Sequence, residues 1–242
     1  MELLVVVAII LVLAAIAFPV FRFVQMRGHK IKALSNMRQL ASAALNYAAQ
    51  NDNTLPNEDS KGQDSWNNAA KPENAKAWYN ACPRLLGQLG VGDYATKPRD
   101  YYRPQNILYL PGAKYPDDDS ILREPLFAIA INTKLSRKVE GKKDPVKLTQ
   151  ITHPQRTVLF LEQGLPKEDK AMAVQPKYDG SCKGSAKSFV ARYAGEGYVV
   201  FCDGNGQSIA GKDILLENGS FEFPPTGVFW TRTPEEDPNK KE

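Results

Sequence analysis

Residues able to do acid–base, metal or thiol chemistry are few in this chain, and they lie far apart in sequence. The only histidines are His29 and His153, and the cysteines have no CxxC spacing, so zinc and thioredoxin-type sites are not indicated. No P-loop, GxSxG or HExxH motif is present. An anchored hydrolase would have to use carboxylates such as Asp117–Asp119, Glu162 and Asp203. The sequence therefore predicts no enzyme, no catalytic residue, no cofactor and no metal site.

Asp117–Asp119 are the run of acids that most suggests a metal, because Ca²⁺ prefers several carboxylate oxygens at once. Three consecutive side chains point in different directions, however, and no glycine occupies the turn position of an EF-hand loop. A solvated turn is the favoured interpretation, and calcium binding is the alternative.

The three cysteines cannot all pair within one chain. Cys82 has no histidine near it in sequence and is expected to be a small buried residue. Cys182 and Cys202 bracket segments that look like adjacent strands, and an oxidising compartment would allow them to bond. Free thiols are the alternative for this pair.

One further carboxylate, Glu2, stands directly before an apolar run that extends from Leu3 to Phe21 without a charge. Its nineteen residues would reach about 28 Å as a helix, close to the ~30 Å hydrocarbon core of a bilayer. A carboxylate costs roughly 2.5–3.5 kcal/mol at mid-bilayer unless it is paired, and less near an interface. Glu2 is therefore either solvated among lipid headgroups or paired with a positive group on a neighbouring subunit.

The apolar run continues without a turn signal into an amphipathic segment, so the sequence predicts one helix over residues 1–50. The breaker-rich segment Asn51–Pro56 ends it. Along the second half of this helix, small or apolar residues recur at steps of three and four, which indicates one buried face. These residues are Ile31, Leu34, Met37, Ala41, Ala44 and Ala48.

Residues 51–230 suffice for one globular head with its own core. Apolar runs typical of strands occur at Leu126–Ile131, Thr157–Glu162 and Tyr198–Phe201. The cationic segment Ser136–Lys147 is predicted to be a loop. Residues 231–242 are too polar to fold alone and are predicted to be a disordered tail. The predicted fold class is α+β, with the long helix packed on a small antiparallel β-sheet.

The segment Glu2–Ala17 closely resembles the start of mature type IV pilins and type II secretion pseudopilins. The resemblance implies a pilin-like fold that assembles through its N-terminal helix, with assembly residues Glu2, Leu3, Leu4 and Pro19, the last being the helix-bending proline. It also implies that Glu2 neutralises the N-terminal amine of an adjacent subunit. The family has a short basic leader and a methylated Phe before the glutamate, whereas Met1 directly precedes Glu2 here. A truncated start and an unprocessed protein are the two alternatives.

Two later segments resemble signatures of the prepilin-like proteins of planctomycetes and verrucomicrobia. Lys32–Tyr47 is similar to their Asn-Leu-Lys-Gln run, and Phe189–Gln207 to their C-terminal signature, a His separated by nine residues from Asp-Gly. The spacing is kept, but Tyr193 replaces the His, which implies that any binding role of that His is lost. Asp203 and Gly204 are predicted to form a structural turn, in which Gly204 has a positive φ and Asp203 bonds its own backbone.

These features predict a membrane-anchored, pseudopilin-like structural subunit of a type II secretion or type IV pilus-like filament. The expected partners are other pilin-like subunits, inner-membrane lipid and a secretion or pilus assembly platform. The resemblance implies a single-pass inner-membrane protein with its head in the periplasm or outside the cell. The positive-inside tendency of the basic residues after the span would instead place the head in the cytoplasm, and we follow the resemblance. Those residues are Arg22, Arg27, Lys30 and Lys32.

The charge balance of 31 basic against 27 acidic residues argues against a nucleic-acid partner. The alternative function is a singly anchored periplasmic module that binds a glycan or a peptide. It would use Trp66, Trp78 and the aromatic segment Tyr101–Tyr115. Such a module predicts that a ligand quenches tryptophan fluorescence.

Overall fold

The computed structural model describes residues 2–58, 61–139, 142–144, 146–166, 168, 178–214 and 227–236. Within these residues, one long helix, α1 (Glu2–Gln50), precedes a head with three short helices and seven strands. The short helices are α2 (Trp66–Ala69), α3 (Trp78–Leu85) and α4 (Pro98–Tyr101). The strands are β1 (Ile129–Asn132), β2 (Arg137–Val139), β3 (Lys142–Asp144), β4 (Val158–Glu162), β5 (Lys183–Gly184), β6 (Glu196–Phe201) and β7 (Gly206–Ala210). The α+β class predicted from the sequence is therefore observed.

Helix α1 is continuous over 49 residues. Its second half is rich in alanine and leucine, which are strong helix formers. The helix ends before Asp52 and Asn53, whose φ angles of 53° and 56° lie in the left-handed region that Asp and Asn tolerate. The side-chain amide of Asn51 donates to the carbonyl of Tyr47 at 2.8 Å and satisfies one acceptor of the last turn.

The second half of α1 packs into the core of the head. Five of its side chains from Met37 onward are fully buried: Met37, Leu40, Ala41, Ala44 and Ala48. Ile31, which we expected on this face, is 71% exposed, and the buried face begins instead at Ala33. The packing is close enough that a Cβ added to Gly206 of β7 would lie 2.5 Å from Cδ1 of Leu34.

Five strands form one sheet in the order β5-β1-β4-β6-β7. Neighbouring strands are antiparallel except that β5 runs parallel to β1, so the sheet is mixed and not antiparallel as predicted. The chain passes through β4 before it reaches β5, and a connection of this length permits a parallel neighbour. The cationic segment predicted to be a loop contains a second, two-stranded antiparallel sheet of β2 and β3.

Three aromatic rings that the sequence suggested for ligand binding lie inside the head. Trp66, Trp78 and Tyr101 are 3%, 0% and 2% exposed. Nε1 of Trp78 donates to the carbonyl of Cys182, and Nε1 of Trp66 to that of Ile121, each at 2.9 Å. The rings of Trp66 and Tyr101 meet edge to face at 5.4 Å. These three rings stabilise the core and present no exposed platform to a glycan or peptide.

All three cysteines, Cys82, Cys182 and Cys202, are free and buried. Sγ of Cys182 donates to the carbonyl of Glu58 at 3.4 Å. Burial raises the pKa of the Cys82 and Cys202 thiols, so these two groups stay protonated. The bond considered between Cys182 and Cys202 is therefore not formed, and the cysteines act as small buried side chains.

The folded head extends past residue 230. Thr231 and Arg232 are 6% and 1% exposed. Nε of Arg232 donates to the carbonyl of Leu135 at 2.7 Å, and Nη1 donates to Oε1 of Gln150 at 2.6 Å. The predicted start of the tail at residue 231 is therefore too early. Arg232 can lie in the core because these partners satisfy its polar side chain. Residues 237–242 of that tail lie outside the described residues.

Replacing Leu40 by alanine should lower the free energy of unfolding by about 2–5 kcal/mol, because it deletes a fully buried side chain from α1. Ile31→Ala deletes a similar volume from an exposed position and should cost less than about 0.5 kcal/mol. Urea unfolding of the full chain in mild detergent measures both, since the tryptophans that report on it, Trp66, Trp78 and Trp230, are buried in the head. Equal losses in the two variants would contradict this packing.

Candidate membrane and assembly surface

The first half of α1 presents apolar side chains that the head does not cover. The large apolar side chains described between Val5 and Val24 are 46–66% exposed. The most apolar window of this helix has a mean hydropathy of 2.7 with 0% of it buried, which is long and apolar enough to span a membrane. A signal sequence meets the same test of length and composition, as does the core helix of a soluble protein. A core helix would be covered, and this half is not.

Two polar contacts mark where the head begins along α1. Nζ of Lys30 lies 3.1 Å from Oε2 of Glu196 on β6, and this partner holds the pKa of Glu196 below its usual range. About two turns further into the head, Nη2 of Arg38 donates to the carbonyl of Gly206 at 3.2 Å. On the other side of Lys30, a Cβ added to Gly28 would meet nothing within 4 Å. The helix therefore leaves the head between residues 28 and 30.

Four residues that the pilin resemblance marks for assembly belong to α1: Glu2, Leu3, Leu4 and Pro19. Glu2 opens the helix, at the end where the helix dipole favours a carboxylate. The side chains of all four lie outside the described residues. Pairing by Glu2 and bending at Pro19 therefore stay predictions.

A buried cluster of charges lies in the head, and no sequence motif marks it. Nη1 of Arg192 lies 3.0 Å from Oε2 of Glu162, the last residue of β4, and Nε of Arg192 lies 2.7 Å from Oε1 of Glu168. These three side chains are at most 5% exposed. The other oxygens of the two carboxylates accept from the backbone N–H groups of Tyr198 at 3.0 Å and Leu165 at 2.9 Å. The cluster thereby joins β4, β6 and the loop that follows β4.

Two carboxylates share one guanidinium in this cluster, so it has a net negative charge when all three groups are ionised. Burial raises the pKa of Glu162 to about 7, although the Arg192 charge and the Tyr198 N–H favour the carboxylate. Burial also disfavours the Arg192 charge, but Glu168 and Glu162 outweigh it and raise the pKa of Arg192. Arg192 therefore stays charged while Glu162 titrates near neutral pH.

Tyr193, which stands at the position of the signature His, lies beside this cluster and is 2% exposed. Its hydroxyl donates to the carbonyl of Pro111 at 2.8 Å. Gly112, with φ +87°, lets the chain pass so close that an added Cβ would lie 3.2 Å from the tyrosine ring. Burial and the nearby Glu162 raise the pKa of Tyr193, so its phenol stays protonated and acts as a hydrogen-bond donor.

Asp203 and Gly204 lie in the turn between β6 and β7. Gly204 has a φ of +88°, and Oδ1 of Asp203 accepts from the backbone N–H of Asn205 at 2.9 Å. A Cβ added to Gly204 would lie 3.6 Å from Cδ1 of Leu45, so this turn rests against α1. The geometry is that of a structural turn.

The acids at 117–119 belong to a surface turn. Oδ1 of Asp118 accepts from the N–H of Ser120 at 2.9 Å and caps a short 3₁₀ helix. Oδ1 of Asp119 lies 3.3 Å from Nη2 of Arg99, and the Asp119 side chain is 84% exposed. Among the described residues, no group of three His, Cys, Asp or Glu side chains could hold a metal ion.

An open polar cleft of about 260 Å³ lies on the surface of the head. Burial and the neighbouring Asp64 and Asp179 raise the pKa of Glu124 at its edge. The cleft is lined by Lys61, Gln63, Asp64, Glu124, Asp179 and Ser181. None of these lining residues is aromatic, so they offer no ring on which a sugar could stack.

No protein family, curated protein or solved structure matches this chain. The observations that bear on function are therefore those of its own fold. They are an uncovered apolar half of α1 and a head whose Glu162, Glu168 and Arg192 are buried in mutual contact.

The free energy of unfolding should fall as the pH rises from about 5 to 7.5. Folded Glu162 keeps its proton up to about pH 7, whereas an ordinary glutamate loses it near pH 4.5. The stabilisation is therefore complete below pH 4.5 and is lost as the pH rises through about 7. Glu162→Gln should abolish this decline, which amounts to at most about 3 kcal/mol.

Urea titrations across this pH range, followed by tryptophan fluorescence, measure the decline. The exposed Glu73 supplies the control, since Glu73→Gln should leave the slope unchanged. An equal slope in the wild-type chain and in Glu162→Gln would show that another group is responsible.

Proposed function

We propose that this chain is a membrane-anchored, pilin-like structural subunit that assembles with similar subunits through the first half of α1. The observation that carries the proposal is the division of one continuous helix. Its first half is apolar and uncovered, whereas its second half is buried in the head. A cleaved signal sequence would not share a helix with core residues such as Met37 and Leu40, so the continuity favours a permanent anchor.

Assembly within the bilayer would depend on packing and on Glu2. Lipid tails are as apolar as the side chains of α1, so burial alone gives the helix no preference for a neighbouring helix over lipid. An unpaired carboxylate is costly in that environment. Pairing of Glu2 with the N-terminal amine of an adjacent subunit removes this cost and makes a second subunit the preferred neighbour.

The head has a structural role in this proposal and lies in the periplasm or outside the cell. The Arg192 cluster and the Tyr193 hydroxyl hold loops against the sheet. The exposed loops of the head would meet other subunits and the secretion or pilus assembly platform. Because α1 is continuous, contacts made by the head would also orient the part of the helix within the membrane.

Cysteine cross-linking tests the assembly. Leu11→Cys, Val12→Cys and Leu13→Cys sample three directions about 100° apart on α1, at positions that are 64%, 59% and 62% exposed. On mild oxidation of membranes that contain the chain, at least one variant should form disulfide-linked dimers on denaturing gels. The wild-type chain is the control and should form none, because its three cysteines are buried. Absence of dimers in all three variants would contradict the proposal.

Adding Glu2→Ala to the variant that cross-links best should leave insertion intact and reduce the dimer at least about tenfold. A tenfold loss corresponds to about 1.4 kcal/mol, well below the cost of an unpaired carboxylate in the bilayer. Glu73→Ala removes an exposed carboxylate from the head and should not change the yield. Equal dimer yields with Glu2→Ala and Glu73→Ala would show that Glu2 does not direct assembly.

A further inference from the structure

Beyond Glu2, the charged residues of α1 are all basic. From Leu3 to Gln50 the sequence contains five Lys or Arg residues and no Asp or Glu. Four of the five fall within residues 22–32, directly after the apolar run: Arg22, Arg27, Lys30 and Lys32. We call residues 22–32 the cationic collar. Besides water, acids of the head or anions outside the chain can balance such a concentration of one charge.

Positions 22, 27 and 32 of the collar are spaced by five residues. Five residues turn an α-helix by about 140°, so these positions lie on three different sides of α1. The side chains of Arg27 and Lys32 are both exposed. A partner that contacts all three positions would surround the helix, as lipid headgroups surround a helix that leaves a bilayer.

The depth of the collar also fits a membrane surface. If Leu3–Phe21 fills the hydrocarbon core, Arg27 lies six residues, or about 9 Å, beyond its edge, near the headgroup region. Lys32 lies about 16 Å beyond that edge, on the water side of the headgroups and about one Debye length from them, so it acts at longer range. Phe21 and Phe23 are 66% and 49% exposed, and the Arg27 guanidinium lies 4.4 Å from the centre of the Phe23 ring. An apolar ring beside an exposed cation is the combination that binds at a lipid–water boundary.

The nearby acid of the head does not neutralise the outer cations of the collar. Glu196 lies 3.1 Å from Lys30, which faces the head. This contact lowers the pKa of Glu196, which favours its ionised carboxylate. Among the residues that the structure describes, no acid forms an ion pair with Arg27 or Lys32, and we consider an anionic partner outside the chain.

We infer that the cationic collar binds the phosphate groups of anionic phospholipids around α1, through Arg27 and Lys32. This inference rests on the proposed membrane anchor, and it adds a lipid class that nothing in the assembly proposal requires. The collar supplies positive charge on several sides of the helix, and the exposed phenylalanines supply the apolar contact. Each cation near an anionic surface contributes about a fivefold preference.

The test uses the full chain in a mild non-ionic detergent, titrated with phosphatidylglycerol or with phosphatidylcholine of the same acyl chains. Native mass spectrometry counts the lipids retained. We expect the wild-type chain to prefer phosphatidylglycerol, and Arg27→Gln with Lys32→Gln to reduce that preference roughly 30-fold. The preference should also weaken as salt is raised to about 0.5 M, since the charges are exposed.

Two double variants control the measurement. Lys71→Gln with Lys76→Gln removes the same charge from exposed positions of the head and should leave the preference intact. Arg27→Lys with Lys32→Arg keeps the charge of the collar and should also retain it, which separates loss of charge from misfolding. Equal effects of the collar and head double variants would overturn the inference. Displacement of phosphatidylglycerol by millimolar inorganic phosphate would overturn it as well, because a free anion would then suffice.

Failure of this inference and failure of the assembly proposal give different results. The lipid titration is done on single chains and requires no cross-link. A preference for phosphatidylglycerol without dimerisation would support the lipid inference and contradict the assembly proposal. Dimerisation without a lipid preference would support the assembly proposal and contradict the lipid inference.

Discussion

One unbroken helix has to satisfy two different surroundings, and the structure depends on how it does so. Over residues 5–24 the large apolar side chains of α1 are uncovered, while from Ala33 to Ala48 its buried face belongs to the core of the head. Both parts belong to one continuous helix, in which Pro19 is the residue that lacks a backbone N–H donor, so movement of one part is coupled to the other. A partner that holds the first half therefore also fixes the orientation of the head.

The attachment of the head to α1 combines small side chains with a few polar contacts. Alanines are buried on this face of α1, and Leu34 packs so closely on β7 that Gly206 has no room for a side chain. On either side of this contact along α1, Lys30 pairs with Glu196, and Arg38 donates to the carbonyl of Gly206. Apolar packing supplies most of the free energy of this attachment, and the two solvent-accessible polar contacts add little to it.

The buried charges of the head have a different physical role. Taking Arg192, Glu162 and Glu168 out of water is costly, and their mutual attraction roughly offsets that cost. Their value lies in specificity, since the guanidinium is satisfied only when β4 and the loop after it are correctly placed. Tyr193, beside the cluster, has a similar role. Its hydroxyl reaches the carbonyl of Pro111 only when the segment that contains Pro111 lies against the sheet.

The sequence alone determined the local features, because these follow from periodicity and from residue type. The helix over 2–50, the α+β class and strands within the apolar runs 126–131, 157–162 and 198–201 could all be predicted in this way. The parallel pairing of the two-residue β5 with β1 could not, because so short a strand has no pattern and its partner is chosen by the path of the chain. The roles of Trp66, Trp78 and Tyr101 could not be predicted either, since aromatic rings occur both in cores and on ligand-binding surfaces. Their burial in the structure places them in the core. Only the tertiary structure brought Arg192 to Glu162 and Glu168, and kept Arg232 inside the head, because long-range charge partners leave no spacing rule in the sequence.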